Sequence, residues 1–100
     1  MTVYICSPLR GDYEKNIQKA IEYCRKVANE GYTPIAPHIY CTQFLDDTKP
    51  DERERGLEMA MEMLELCDCV WIFGDHISEG MKQEIEMAKK LGIPVRDAQW

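Results

Sequence analysis

Long hydrophobic runs are missing from this sequence. No apolar stretch approaches the roughly 20 residues that a membrane-spanning helix needs, so we expect no membrane partner. The first residues, Met1 to Tyr4, also lack the basic and then apolar layout of a signal peptide. These two absences favour a cytoplasmic protein.

Cysteine pairs and metal-binding patterns are missing as well. The five cysteines are an odd number without a disulfide framework, and Cys67 and Cys69 lack a CxxC pair or a His-rich partner. We therefore expect neither a metal nor another cofactor. Cys6, Cys24 and Cys69 are expected to be small core residues in a reducing compartment.

Positive charge is in deficit. Lysine and arginine total 12 against 18 aspartates and glutamates, which gives a net charge of −6 and an isoelectric point near 4.8. An acidic surface repels a phosphate backbone, so nucleic acid is disfavoured as a partner, although a local positive pocket for one phosphate stays possible. The length and the 45% hydrophobic content predict a single folded domain over residues 1–100.

Segments with strand and helix patterns alternate along the chain. Strands are predicted over residues 2–6, 32–36, 69–73 and 93–95. Helices are predicted from about 13 to 30, from 51 onward, and from 78 to 91, whereas residues 37–50 have no clear period and read as a long loop. This order predicts an α/β class: one Rossmann- or flavodoxin-like three-layer domain with a mostly parallel sheet of four to five strands.

Parallel sheets bind ligands beyond the carboxyl ends of their strands, which directs attention to the loops that follow them. After the first strand come Ser7, Arg10 and Gly11. Backbone N–H groups before a helix attract anions, an arginine can hold phosphate in a bidentate manner, and a glycine permits a tight turn. The alternative is an ordinary surface turn, because the segment is neither a P-loop nor a GxGxxG motif.

The loop after the third predicted strand leads into a helix with an unusual start. Ser78 is a suitable N-cap, but Gly80 in the first turn costs about 1 kcal/mol relative to alanine. Gly80 and Glu84 are four residues apart and share one helix face, so the missing side chain opens space above the carboxylate, where a sugar fits. The inward stripe of this helix is predicted to contain Met81, Ile85, Ala88 and Leu91.

Glu84 borders that apolar stripe, so its carboxylate is expected to be partly desolvated, with a raised pKa or enhanced reactivity as a nucleophile. The alternative is a solvated glutamate on an acidic helix.

Asp75 and His76 follow the third strand directly, and His38 follows the second. Each is a candidate for hydrogen bonding to a ribose or a base, although His76 equally suits a surface position.

The sequence resembles the nucleoside 2-deoxyribosyltransferase-like superfamily, and most closely its small phage and bacterial members. The resemblance rests on the segments 4–11 (YICSPLRG), 67–73 (CDCVWIF) and 92–95 (GIPV), and on the pattern Ser78-x-Gly80-x-x-x-Glu84. It covers nearly the whole chain, and the late pattern is moderately specific.

This resemblance implies an enzyme that cleaves the N-glycosidic bond of a 2-deoxynucleoside or its monophosphate. The glutamate matching Glu84 would attack the anomeric carbon and form a glycosyl-enzyme intermediate, which water or a second base then resolves. The loop with Ser7, Arg10 and Gly11 resembles that of members acting on 5′-monophosphates, where it would hold the phosphate. Ser78 would lie near the sugar or phosphate.

One position departs from the family pattern. An aspartate that helps activate the base is replaced here by Ala60, so that activation would fall to Asp75, His76 or His38. Three hypotheses therefore stay open: an N-glycosidase or deoxyribosyltransferase acting on a nucleotide, a non-catalytic nucleotide sensor or sponge, and a partner-binding domain with a vestigial pocket. The methionine-rich second helix and Trp100 favour a homodimer or larger homo-oligomer.

Overall fold

The computed structural model describes residues 1–98. Four strands and four helices follow one another as β1 (Thr2–Cys6), α1 (Tyr13–Asn29), β2 (Thr33–Ile35), α2 (Pro37–Cys41), α3 (Pro50–Glu65), β3 (Cys69–Ile72), α4 (Glu79–Leu91) and β4 (Val95–Asp97). Among these residues, no helix is both long enough and apolar enough to cross a membrane. Trp100 lies outside the described residues, and the homo-oligomer stays a prediction.

The four strands form one parallel sheet in the order β2-β1-β3-β4. Val3 pairs with Pro34 of β2 and with Cys69 of β3, so β1 is a central strand. Val70 of β3 pairs with Val95 of β4. The predicted class, a Rossmann- or flavodoxin-like α/β domain with a parallel sheet of four to five strands, is confirmed.

Alternating residues of β1 divide between two hydrophobic cores, because successive side chains of a strand point to opposite faces. Val3 and Ile5 pack with Val27 of α1 on one face. On the other face, Tyr4 and Cys6 belong to a cluster that α3 and α4 complete; its other buried members are Leu64, Cys67, Val70, Met81 and Ala88. The sheet is therefore covered on both sides, which gives the three layers that the sequence predicts.

Three local features differ from the sequence expectations. Residues 37–41 form the short helix α2, which starts with Pro37 at its first turn and is too brief to produce a readable period. The last strand begins at Val95, after Pro94, whose nitrogen has no hydrogen to donate to a ladder. Leu91, predicted to point inward, lies at the end of α4 and is 45% exposed.

The loops that follow β1 and β3 touch each other at one glycine. Gly74 has a φ of 103°, and a Cβ atom added there would lie 2.9 Å from Cδ of the buried Pro8. Gly31 has a similar φ of 93°, but its added Cβ would meet nothing within 4 Å. Substitutions at Gly31 and Gly74 therefore distinguish backbone strain, which both positions share, from steric overlap, which only Gly74 has.

We expect Gly31→Ala to lower the free energy of unfolding by about 1 kcal/mol, since an L-residue is strained at positive φ. Gly74→Ala should lower it by about 2–4 kcal/mol, because overlap with the Pro8 ring adds to the strain. Urea denaturation of both variants measures the difference. Equal losses would show that the Pro8 contact contributes nothing.

Candidate active site

A cavity of about 160 Å³ opens at the carboxyl end of the sheet, on the face covered by α3 and α4. We call it the Glu84 cavity. Six residues that the sequence nominates line it: Ser7, Arg10, His38, Ser78, Gly80 and Glu84. They come from the ends of β1 and β2 and from the start of α4, so the fold brings together side chains that lie up to 77 positions apart in the sequence.

The Glu84 side chain is held by two donors from β1. The Tyr4 hydroxyl donates to one carboxylate oxygen, and the Cys6 thiol donates to the other at 3.7 Å. Tyr4 and Cys6 are two positions apart on the strand, so both point to the face that carries α4. Sequence reasoning missed Tyr4, because a tyrosine inside an apolar strand gives no signal beyond a core residue.

Burial raises the pKa of Glu84 from its ordinary value of 4.5 to about 7, although the hydrogen bonds from Tyr4 and Cys6 oppose the shift. Burial also raises the pKa of Tyr4 and of Cys6, and the nearby Glu84 carboxylate adds to both effects. Both donors therefore keep their protons while Glu84 ionises. The site thus holds a carboxyl group that titrates near neutrality next to two groups that do not.

Gly80 keeps the space beside Glu84 open. A Cβ atom added at Gly80 would meet nothing within 4 Å, although the residue lines the cavity. Two residues before Gly80, the Ser78 hydroxyl accepts a hydrogen bond from the Met81 backbone N–H at 3.3 Å and caps α4. The helix therefore starts at the cavity wall.

Ser7 and His38 form a second polar pair in the wall. Ser7 Oγ and His38 Nε2 share a hydrogen bond of 3.1 Å, and Ser7 is buried. Burial lowers the pKa of His38 from 6.5 to about 4, so the imidazole is neutral where Glu84 titrates. A neutral imidazole suits hydrogen bonding to an uncharged group of a ligand rather than ion pairing.

Arg10 lines the cavity from the loop after β1, and its Nε lies 3.3 Å from an Asp47 carboxylate oxygen. Asp47, Glu52 and Arg53 also line the cavity, from the segment before α3 and from its first turns. Sequence reasoning nominated none of these three residues. The length of the 37–50 segment was the available signal, because long connections in compact domains are often functional.

Three nominated residues lie outside the cavity lining. Gly11 follows Arg10 and adopts a φ of 101°, which fits the predicted tight turn. Asp75 and His76 are exposed and bonded to each other, with 2.8 Å between Asp75 Oδ1 and His76 Nδ1. Burial raises the pKa of Tyr23 on α1, and the negative charge of Asp75 adds to that shift. The structure thus gives neither residue a contact with the cavity.

Ala60 does line the cavity. The position where the resemblance implies an aspartate therefore faces the right space but offers only a methyl group. Besides Glu84, the carboxylates in the lining are Asp47 and Glu52. Asp47 is paired with Arg10, and Glu52 accepts from the Asp46 backbone N–H and lies 3.6 Å from Lys49 Nζ.

The model of one family, described as Domain of unknown function (DUF7768), matches residues 1–98. The chain belongs to the DUF7768 family. Among solved structures, this DUF7768 domain is similar to the 2-deoxyribosyltransferase from the psychrotolerant bacterium Bacillus psychrosaccharolyticus, with a TM-score of 0.75 and 18% identity. The match covers 95% of this chain and 69% of the other, which confirms the predicted relationship at the level of the fold. No curated protein matches the sequence.

The raised pKa of Glu84 makes the stability of the DUF7768 domain depend on pH. An acid with a raised pKa favours the protonated folded state, so its ionisation destabilises the fold as pH rises from about 4.5 to about 7. Glu84→Gln removes this penalty. We expect the variant to match the wild type at pH 4 and to be more stable at pH 8, by up to about 3 kcal/mol.

Urea denaturation at both pH values measures the effect. Glu86→Gln, which alters an exposed glutamate on the same helix, controls for the loss of one negative charge. If Glu84→Gln and Glu86→Gln respond alike at pH 8, then the pKa of Glu84 is not raised in the folded protein.

Proposed function

We propose that the protein cleaves or transfers the N-glycosidic bond of a deoxynucleoside 5′-monophosphate, with Glu84 as the nucleophile. The observation that carries the proposal is the setting of Glu84: a desolvated carboxyl group, held by Tyr4 and Cys6, beside the opening at Gly80. Such a group is positioned and exposed to a ligand at the same time, as a covalent nucleophile must be.

In the proposed reaction, a Glu84 oxygen forms a bond to the anomeric carbon while the bond from that carbon to the base nitrogen breaks. The electron pair of the broken bond leaves with the base, which takes up a proton. Water then attacks the anomeric carbon and releases Glu84, or a second base does so in transfer. The proton must come from water or from another lining acid, because Ala60 supplies none.

The other end of the ligand is assigned to the loop after β1. Arg10 supplies a positive charge in the cavity wall, and Ser7 and His38 supply neutral hydrogen-bonding groups. These groups suit a phosphate and the sugar next to it. The similarity in fold to a 2-deoxyribosyltransferase supports a nucleoside as the remainder of the ligand.

Incubation with the four deoxynucleoside 5′-monophosphates, followed by chromatography of free base, tests the activity. We expect base release by the wild type, with a rate that rises with pH and is half-maximal near pH 7, because only ionised Glu84 attacks. Glu84→Gln should lose the activity, whereas Glu86→Gln should keep it.

Binding of the nucleotides without base release would contradict the enzymatic proposal and indicate a nucleotide sensor or sponge. Base release that persists in Glu84→Gln would exclude Glu84 as the nucleophile. Absence of any binding at millimolar nucleotide would remove the nucleotide from the proposal altogether.

Gly80 should separate folding from binding. Because an alanine Cβ meets no atom there and alanine favours helices, Gly80→Ala should increase the free energy of unfolding by about 0.5 kcal/mol. The same methyl group projects into the cavity, so affinity for the nucleotide should fall by about tenfold or more. Calorimetry and urea denaturation measure the two effects, with Gln83→Ala on α4 as the control. Unchanged affinity would show that the ligand does not lie over Gly80.

A further inference from the structure

A second cleft, of about 280 Å³, continues from the Glu84 cavity. Four residues line both spaces: Arg10, Asp47, Arg53 and Leu57. The second cleft is otherwise lined by Thr48, Pro50 and Glu54. Glu84, Gly80 and Ser78 line the first space alone. The Arg10 end of the cavity is therefore a junction rather than a closed end.

Two arginines stand at that junction. Arg10 comes from the loop after β1 and Arg53 from the first turns of α3, so they approach from different elements. The guanidinium group of Arg53 has no hydrogen-bond or ion-pair partner among residues 1–98. A single phosphate bound by the loop after β1 engages Arg10, and the exposed Arg53 is then available to a second anionic group.

The contact with Asp47 shows that Arg10 pairs with an anionic oxygen at this junction. The two side chains are 3.3 Å apart, but Arg10 is 59% exposed, and pairs exposed to this degree contribute little. A phosphate group is also an anion and offers more acceptor oxygens, so it can displace Asp47 from Arg10 with little loss.

We propose that the junction is a pyrophosphate site, with the α-phosphate of the ligand at Arg10 and the β-phosphate between Arg10 and Arg53. The substrate class is thereby extended from nucleoside monophosphates to nucleoside diphosphates. This inference rests on the proposed function, because it requires that the nucleoside of the ligand occupies the Glu84 cavity. Glu54 in the second cleft opposes a third phosphate, because a carboxylate repels the added negative charge.

Calorimetric titration with matched deoxynucleoside mono-, di- and triphosphates tests the site, without magnesium so that only the protein supplies positive charge. The diphosphate should bind about tenfold more tightly than the monophosphate, because its second phosphate makes one additional charge-assisted hydrogen bond. The triphosphate should bind no more tightly than the diphosphate. Arg53→Gln should reduce the ratio of the di- and monophosphate affinities to about one.

Arg55→Gln is the matched control, since Arg55 lies on the same helix but lines neither space. It should leave the tenfold ratio in place. Equal affinities for mono- and diphosphate in the wild type would overturn the pyrophosphate site, and so would a ratio that Arg53→Gln does not change.

The two proposals fail separately in this design. If monophosphates release base and diphosphates bind no better, the pyrophosphate site is wrong and the activity stands. If diphosphates bind better in an Arg53-dependent manner and no base is released, the pyrophosphate site stands and the N-glycosidase proposal is wrong.

Discussion

The contact between β1 and the Glu84 carboxyl group is the interaction on which the site depends. Tyr4 and Cys6 are core residues of the sheet, yet their polar atoms end at an acid on α4. The Glu84 oxygens therefore have partners inside the protein, which limits the penalty for burying them. The same burial holds the acid near the midpoint of its titration at neutral pH. Packing and chemistry are thus set by one contact.

The fold supplies this contact through the central position of β1. Since β1 lies between β2 and β3, its side chains reach both faces, and one face carries the site while the other packs on α1. Helix α4 begins at the carboxyl end of the sheet, so the glycine in its first turn lies beside the ligand space. The helix start, the strand end and the cavity therefore coincide.

Much of this arrangement is readable from the sequence. Alternation of strand and helix periods predicts the class, and the spacing of Gly80 and Glu84 predicts which acid faces open space. The tyrosine that binds this acid is 80 positions away, and no local pattern connects the two. Asp75 and His76 follow the carboxyl end of β3, where ligands of parallel sheets bind. That rule identifies the loop, but it does not predict which side of the sheet each side chain faces. The short helix α2 could not be predicted, because five residues are too few to show a helical period. The charged residues at the start of α3 could not be assigned to the cavity, because no periodic pattern marks them.

The thiol beside Glu84 has a consequence for observing the site. A hydrogen-bonded S–H group changes its vibrational frequency with the charge of its acceptor, and Cys6 donates directly to Glu84. Cys6 is fully buried, so bulk water does not compete for that bond. The Met81 carbonyl oxygen, 3.9 Å from the same sulfur, is a neutral neighbour whose charge does not change with pH. The protein therefore contains a native infrared reporter of the protonation state of Glu84, one that needs no added label.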